Sequence, residues 1–247
     1  NKIAALLNSV EKVPESIAYI LENSDYNEKE LLQTLYATVE RNPEIYVIAV
    51  AFEPFAFKND SEYYAPFFYR VDDTVNFKYL DRHYNYFYWD WYQIPRELQR
   101  SEWTEPYFGE AGGITMSSYG VPFYRKVKNE KVFAGIVVAA ISLDALRQMV
   151  SSIKIFKTGY GFLLSKNGTF VTHPIKEFVM NETIFSVAEA RGDKSLRNFG
   201  QKMIRGESTL MPYKLKSSVT QKMSWMAHIP IKSNGWTLAI IFPEDEL

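Results

Sequence analysis

The sequence predicts an α+β chain in which a long N-terminal helix leads into two mainly antiparallel sheets, each flanked by helices. Three observations carry this reading. Helix-like and strand-like stretches follow one another as helix, sheet, helix, sheet, without the regular βαβ alternation of a parallel α/β fold. Residues 45–52 (IYVIAVAF) are β-branched and nearly all apolar, the pattern of a short strand covered on both faces. Further on, residues 162–164 and 169–172 flank Asn167-Gly168, a hairpin signal in which Asn-Gly is expected to supply the positive φ angles of a type I′ turn.

Taken in order, Ile3, Leu6, Leu7, Val10, Ile17, Ile20 and Leu21 fall at helical spacing, with Pro14 an expected kink. Asn27 followed by Glu30 predicts a capping box for a second helix that buries Leu31, Leu35 and Val39 and ends at Asn42-Pro43. After the 45–52 strand, residues 63–71 read as an edge strand because Pro66 cannot donate to a ladder. Residues 89–100 have helical spacing. Residues 114–124 and 132–143 read as a hairpin joined by a polar loop, 125–131, and 144–153 as a helix. In the second half, 181–204 is helix-compatible, and strands are expected at 208–214, 222–230 and 236–242. The expected domains are a helical segment, 1–42, a first module, 43–153, and a second, 154–247.

The most unusual stretch runs from Tyr84 to Tyr119. It holds Tyr84, Tyr86, Phe87, Tyr88, Trp89, Trp91 and Tyr92, then Trp103, Tyr107 and Phe108, interrupted by Pro95, Pro106 and Gly112-Gly113. Leu, Ile and Val fill an apolar core without polar tips, whereas buried Tyr and Trp need hydrogen-bond partners. Rings with polar tips suit a pocket wall as well as a core, so Tyr84, Trp89, Trp91, Tyr92, Tyr107 and Tyr119 are candidate ligand-binding residues. Asp90 is expected to cap the helix that starts there.

Composition excludes several classes. A net charge of -1 and a pI near 6.4 leave no basic stripe for nucleic acid. With no cysteine there is no disulfide framework, thiolate zinc site or cysteine nucleophile. His83, His173 and His228 share no metal-ligand spacing, and Gly159-Tyr160-Gly161 lacks the rest of a phosphate-binding fingerprint, so neither a metal nor a cofactor is expected. The longest apolar run, 133–141, is far shorter than a membrane span. The chain begins without Met inside a helical pattern and ends at Pro243-Glu244-Asp245-Glu246-Leu247. This reads as a piece of a longer protein whose membrane segments lie outside it.

Five segments in order resemble the double Cache (dCache) family, tandem PAS-like sensor modules on a long N-terminal helix. They are DWYQIP (90–95), WTEPYF (103–108) with a glycine turn and MSSYGVPFYR (116–125), AGIVVAAISLDAL (134–146), GYGFLLSKNGTFVTHP (159–174) and the closing GWTLAIIFPEDEL. The resemblance implies the extracytoplasmic sensor of a membrane signalling protein, with a histidine kinase as first expectation and a chemoreceptor or phosphatase as the alternatives. It also implies a small-molecule ligand in the membrane-distal module, relay through the proximal one and a homodimer along the N-terminal helix. Amino-acid-binding members carry a Tyr, an Arg five positions on, Trp-Tyr after a spacer, a downstream Tyr and a strand Asp. Tyr84, Trp91, Tyr92 and Tyr107 match this set, but Trp89 stands at the Arg position and Ala140 at the Asp position. Losing both charges removes charge-assisted hydrogen bonds of about 1.5–3 kcal/mol each. The expected ligand is therefore not a standard zwitterionic amino acid but a molecule with more ring or apolar surface and less charge.

A reading from another class is a carbohydrate-active enzyme, with Trp89, Trp91 and Trp103 stacking sugars and carboxylates drawn from Glu102, Glu105 and Glu110. It requires two carboxylates about 5–9.5 Å apart across one cleft.

Overall fold

A computed structural model describes residues 2–209 and 211–247, which fall into two compact units, residues 6–142 and residues 143–247 with 2–5. The fold is α+β, with one antiparallel sheet and its own helices in each unit. In the described residues no helix is long and apolar enough to cross a membrane.

α1 (Lys2–Asn23), which belongs to the first unit from residue 6 on, runs continuously through Pro14, and α2 (Glu28–Arg41) is capped by Asn27. There the predicted capping box is complete, Asn27 Oδ1 accepting from the Glu30 N–H at 3.0 Å and Glu30 Oε2 from the Asn27 N–H at 3.1 Å. β1 (Val47–Phe52) is buried at every position and pairs with β2 (Pro66–Val71) and β7 (Glu130–Ser142). Its alternation sends Val47, Ala49 and Ala51 into the core that holds the aromatic stretch.

The edge-strand expectation for 63–71 is corrected. β3 (Thr74–Tyr79) takes the edge, and β2 lies between it and β1. Pro66 is tolerated because it opens the strand. The β2–β3 turn, Asp72-Asp73, has φ values of 44° and 62°, which no Asn-Gly signal announced. Two short strands, β4 (Glu102–Trp103) and β5 (Tyr107–Gly109), pair with β6 (Ile114–Val127). The β6–β7 hairpin is longer than expected, since its loop shrinks to Lys128-Asn129, both left-handed at φ 49° and 68°. The sheet order is β3-β2-β1-β7-β6-β4, with β5 also on β6.

In the second unit α4 (Leu143–Ser151) precedes β8 (Tyr160–Leu164) and β9 (Phe170–Thr172), and α5 (Ile184–Ala190) and α6 (Lys194–Ile204) precede β10 (Tyr213–Lys216), β11 (Met223–Ile231) and β12 (Trp236–Pro243). The sheet order is β10-β11-β12-β8-β9. The strand expected over 208–214 begins later, at Tyr213, and Leu210 lies outside the described residues. The β8–β9 turn is not type I′, because of the Asn-Gly pair only Gly168 (φ 85°) is left-handed. The Gly168 N–H donates to Ser165 O at 3.0 Å and the Ser165 N–H to Thr169 O at 2.8 Å. The chain thus spends one more residue on the loop, which ends at a glycine bulge.

His173 is buried among Tyr160, Phe162, Phe170 and Phe178, and its Nδ1 accepts from the Ile175 N–H at 3.0 Å. Burial pushes its pKa down to about 4. Between the ordinary value near 6.5 and about 4, the unfolded chain binds a proton that the folded chain refuses. Stability is therefore full above the upper value and falls as pH drops through this window, by up to about 1.4 kcal/mol per pH unit. Urea unfolding of the second unit at a series of pH values is expected to show this slope, and His173→Asn to flatten it. His228, also lowered by burial, adds to the slope in the same direction.

Candidate ligand site

The aromatic stretch enters the first unit through a single 3-10 turn, Tyr86–Tyr88, and then α3 (Asp90–Leu98). Trp89, with φ −89° and ψ 142°, is the N-cap residue and offers no side-chain cap. Asp90 is thus already helical, and the expected capping role is corrected. Its carboxylate sits in the first turn, where the helix dipole favours negative charge. α3 lies close on β6 because Gly120 has no side chain: a Cβ there would come 2.8 Å from Pro95 Cγ and 2.9 Å from the Trp91 carbonyl oxygen.

Consecutive helical residues point about 100° apart, so Trp91 and Tyr92 part company. Tyr92 goes into the core, where its hydroxyl donates to Glu53 Oε1 at 2.5 Å and Arg96 holds the other carboxylate oxygen at 3.3 Å. Burial and then the Glu53 carboxylate raise the Tyr92 phenol above its usual range. Trp91 turns toward Tyr84, its Nε1–H donating to the Tyr84 hydroxyl at 3.4 Å. Trp89 stacks on Tyr84 with centroids 5.2 Å apart and planes at 6°, and its Nε1–H donates to the Tyr84 carbonyl at 3.3 Å. Burial pushes the Tyr84 phenol up to about 12. The Tyr107 hydroxyl is 2.7 Å from Ser118 Oγ on β6. Each polar tip thus has a partner: another ring for Trp91, the backbone for Trp89 and Ser118 for Tyr107.

Two cavities meet at Trp91 and Tyr107. The inner one is about 10 Å³ and is walled by Tyr84, Trp91, Tyr107, Met116, Ser118 and Phe67 among others, room for no more than a single water. The outer cleft is about 270 Å³, lined by Tyr88, Trp89, Asp90, Trp91, Thr104, Glu105, Pro106 and Tyr107. None of the described lining residues of either cavity is Lys or Arg. Arg70 hydrogen-bonds the Val39 carbonyl, Arg125 the Tyr26 hydroxyl, and Lys78 sits over the Phe67 and Tyr69 rings at 5.6 and 5.3 Å. The second unit holds a separate cavity of about 180 Å³ whose lining includes Arg147, Tyr160, His173 and Lys176. No group of three or more His, Asp or Glu among the described residues could hold a metal ion.

The family model for the first PDC sensor domain of methyl-accepting chemotaxis protein-like receptors matches residues 31–148. The model for the Cache 3/Cache 2 fusion domain matches residues 124–247, just over half of the chain. The chain belongs to the Cache family of sensor domains. Among curated relatives, the methyl-accepting chemotaxis protein PscA of Pseudomonas syringae pv. tomato is 30% identical over 90 residues, 36% of this chain and 14% of that protein. McpA of Pseudomonas putida matches to the same extent, 30% over 90 residues, 36% of this chain and 14% of its own. The chain therefore spans about a seventh of the length of these relatives. Among solved structures, the extracellular domain mmHK1S-Z3, assigned to a histidine kinase, aligns over 100% of this chain and 90% of its own with a TM-score of 0.86 at 23% identity. The ligand-binding domain of the Pseudomonas aeruginosa amino-acid chemoreceptor PctC, in complex with GABA, aligns over 97% and 92% with a TM-score of 0.63 at 17% identity.

Within this Cache fold the residues singled out from sequence are only partly brought together. Trp89, Trp91 and Tyr107 line the outer cleft, and Tyr84, Trp91 and Tyr107 the inner cavity. Ala140 is paired with Val47 on one side and Ser118 on the other, two residues of the inner wall. Tyr92 is core. Tyr119 lies elsewhere: it follows Ser118 on a strand, so its ring turns to the opposite face, meets Trp103 and donates to Glu15 of α1 at 3.1 Å. Of the three carboxylates considered for sugar chemistry, Glu105 alone lines the cleft, while Glu102 pairs with Arg100 at 3.0 Å. Sequence reasoning missed Met116 and Ser118. The signal available was their period of two on β6, which places Ser118 opposite Ala140 and Met116 opposite Ser142.

Proposed function

We propose that this chain is the extracytoplasmic ligand-sensing region of a transmembrane signalling protein, and that the aromatic cleft of the first unit holds the ligand. The observation that carries the reading is the outer cleft itself, walled by Trp89, Trp91 and Tyr107 in a chain of the Cache sensor family. It is concave, ring-lined and carries a few polar groups, as small-molecule sites are. The chemistry is recognition without turnover. Residues 43–153 form the membrane-distal module, and residues 154–247 relay a ligand-driven shift in the equilibrium between two arrangements to the segment beyond Leu247. A homodimer forms along α1, where Tyr19 and Ile20 remain exposed. The output is a histidine kinase or a chemoreceptor: the sequence relatives favour the second, and the backbone of mmHK1S-Z3 the first.

The ligand is not a standard zwitterionic amino acid. The inner cavity at Trp91 and Met116 is nearly filled, and the described lining offers no cation to clamp a carboxylate. Thermal-shift screening of the purified chain against a metabolite panel is expected to find a stabilising compound outside the twenty L-amino acids. Micromolar binding of one of those amino acids would refute this reading of Trp89 and Ala140.

A further inference from the structure

We propose that the cavity of the second unit is a separate binding site for a short aliphatic carboxylate, held by Arg147, Lys176 and the His173 Nε2–H. This goes beyond the cleft of the first unit, whose sensing role does not depend on it.

The fixed tautomer of His173 is the first observation that carries the site. Its Nδ1 accepts from the Ile175 N–H at 3.0 Å, so the neutral ring bears its proton on Nε2. The ring is held in place by Phe178, stacked at 4.8 Å, and by Phe170, edge-on at 5.0 Å. His173 lines the cavity, and no acceptor meets its Nε2–H among the described residues. That donor is left to water or to a ligand.

The second observation is the charge and shape of the wall. Arg147 of α4 and Lys176 of the single turn Lys176–Phe178 line the same cavity, and none of its described lining residues is Asp or Glu. Asp144, one helical turn back, engages Arg147 Nε and Nη2 at 3.1 Å. It thereby orients the guanidinium and leaves the Nη1 hydrogens for a ligand. The Lys176 ammonium has no ion-pair partner among the described residues. Arg191, outside the lining, adds to burial in keeping His173 uncharged, which marks a positive field at the ring. The rest of the wall includes Val150, Ile153 and the Tyr160 ring. Gly161 keeps this side open, since a Cβ there would come 3.1 Å from Val150 Cγ1. At about 180 Å³ the cavity has the volume of about six waters, enough for a carboxylate on a short alkyl chain. A zwitterionic amino acid is disfavoured, because its ammonium would meet Arg147 and Lys176 with no acidic residue in the described lining.

The test is NMR titration of the 247-residue chain, following the ring nitrogens of its three histidines. Propionate is expected to bind with a Kd of about 1 mM or tighter and to move the His173 Nε2 resonance while those of His83 and His228 stay fixed. Propionamide, its uncharged isostere, is expected to bind at least about 10-fold more weakly, and Arg147→Gln and Lys176→Gln each to weaken propionate by about 5-fold or more. Lys176 is exposed and Arg147 makes only a surface ion pair, so neither substitution should lower the melting temperature measurably. Inorganic phosphate, which carries charge without the alkyl chain, is expected to bind more weakly than propionate. Equal binding of propionate and propionamide, an unmoved His173 resonance, or unchanged propionate affinity in both variants overturns the inference. Phosphate binding tighter than propionate overturns the carboxylate class. Loss of this site leaves ligand binding in the aromatic cleft, and its dependence on Trp89, unchanged.

Discussion

Gly135→Ala is expected to unfold the first unit or leave it marginal, at a cost of at least about 3 kcal/mol. Gly135 has φ +153°, and an added Cβ would be in hard contact with the Ala51 carbonyl and 2.9 Å from both Phe52 Cα and the Phe123 ring. The site lies between the two central strands, where Gly135 pairs with Phe52 on one side and Phe123 on the other, next to a register shift at Phe123/Tyr124. Backbone cannot give way as a long side chain can. The damage reaches the aromatic cleft, because the adjoining Glu53, whose N–H donates to Ala134 O at 3.0 Å, is the group that anchors Tyr92 and Arg96 of α3. Denaturant unfolding followed by tryptophan fluorescence checks this, and a loss below about 1 kcal/mol would show that the strands relax around the methyl group.

Trp91→Ala is expected to lose ligand binding and to destabilise the first unit by about 3–5 kcal/mol together. The indole is 4% exposed, packs edge to face on Tyr92 at 6.0 Å and separates the inner cavity from the outer cleft. Its removal merges the two and leaves Tyr84 without its indole donor. Because a typical domain has only about 5–15 kcal/mol to lose, this variant alone cannot separate binding from folding. Trp89→Ala does so: its ring is only partly buried, and its loss takes away the Tyr84 stack without opening the core. The expected pair of results is a large fall in melting temperature for Trp91→Ala, a small one for Trp89→Ala, and no ligand-induced shift in either.

Much of the fold was legible in the residues because the signals were strong and local. The Asn27–Glu30 box, the apolar run at β1 and the periodic face of α1 each reported their own structure. What was not legible depended on neighbours. β3 carries a half-exposed TVNFKY pattern and owes its place to an Asp-Asp turn, so the edge was assigned one strand too early. The 167–168 turn differs because whether Asn-Gly forms a type I′ turn or a glycine bulge is settled by the pairing of Ser165 with Thr169. At the site, the resemblance to the family's pocket set drew Tyr84, Trp89, Trp91 and Tyr107 from the chain. It did not separate Trp91 from Tyr92, or Ser118 from Tyr119, because that division needs the direction of each side chain. Glu105 was visible only as one of three nearby acids, and its distinction is that it alone of the three lines the cleft, which no sequence pattern expresses.

Fluorine NMR of the chain labelled with 5-fluorotryptophan tests the location of the ligand most directly. Of the five tryptophans, Trp89 and Trp91 line the cleft, Trp103 bonds Glu11 of α1 at 2.7 Å, and Trp225 and Trp236 lie on β11 and β12 of the second unit. On addition of a compound that stabilises the chain, the Trp89 and Trp91 resonances are predicted to move, and those of Trp225 and Trp236 to stay fixed. Shifts confined to Trp225 and Trp236, with Trp89 and Trp91 unchanged, would contradict a ligand site in the aromatic cleft.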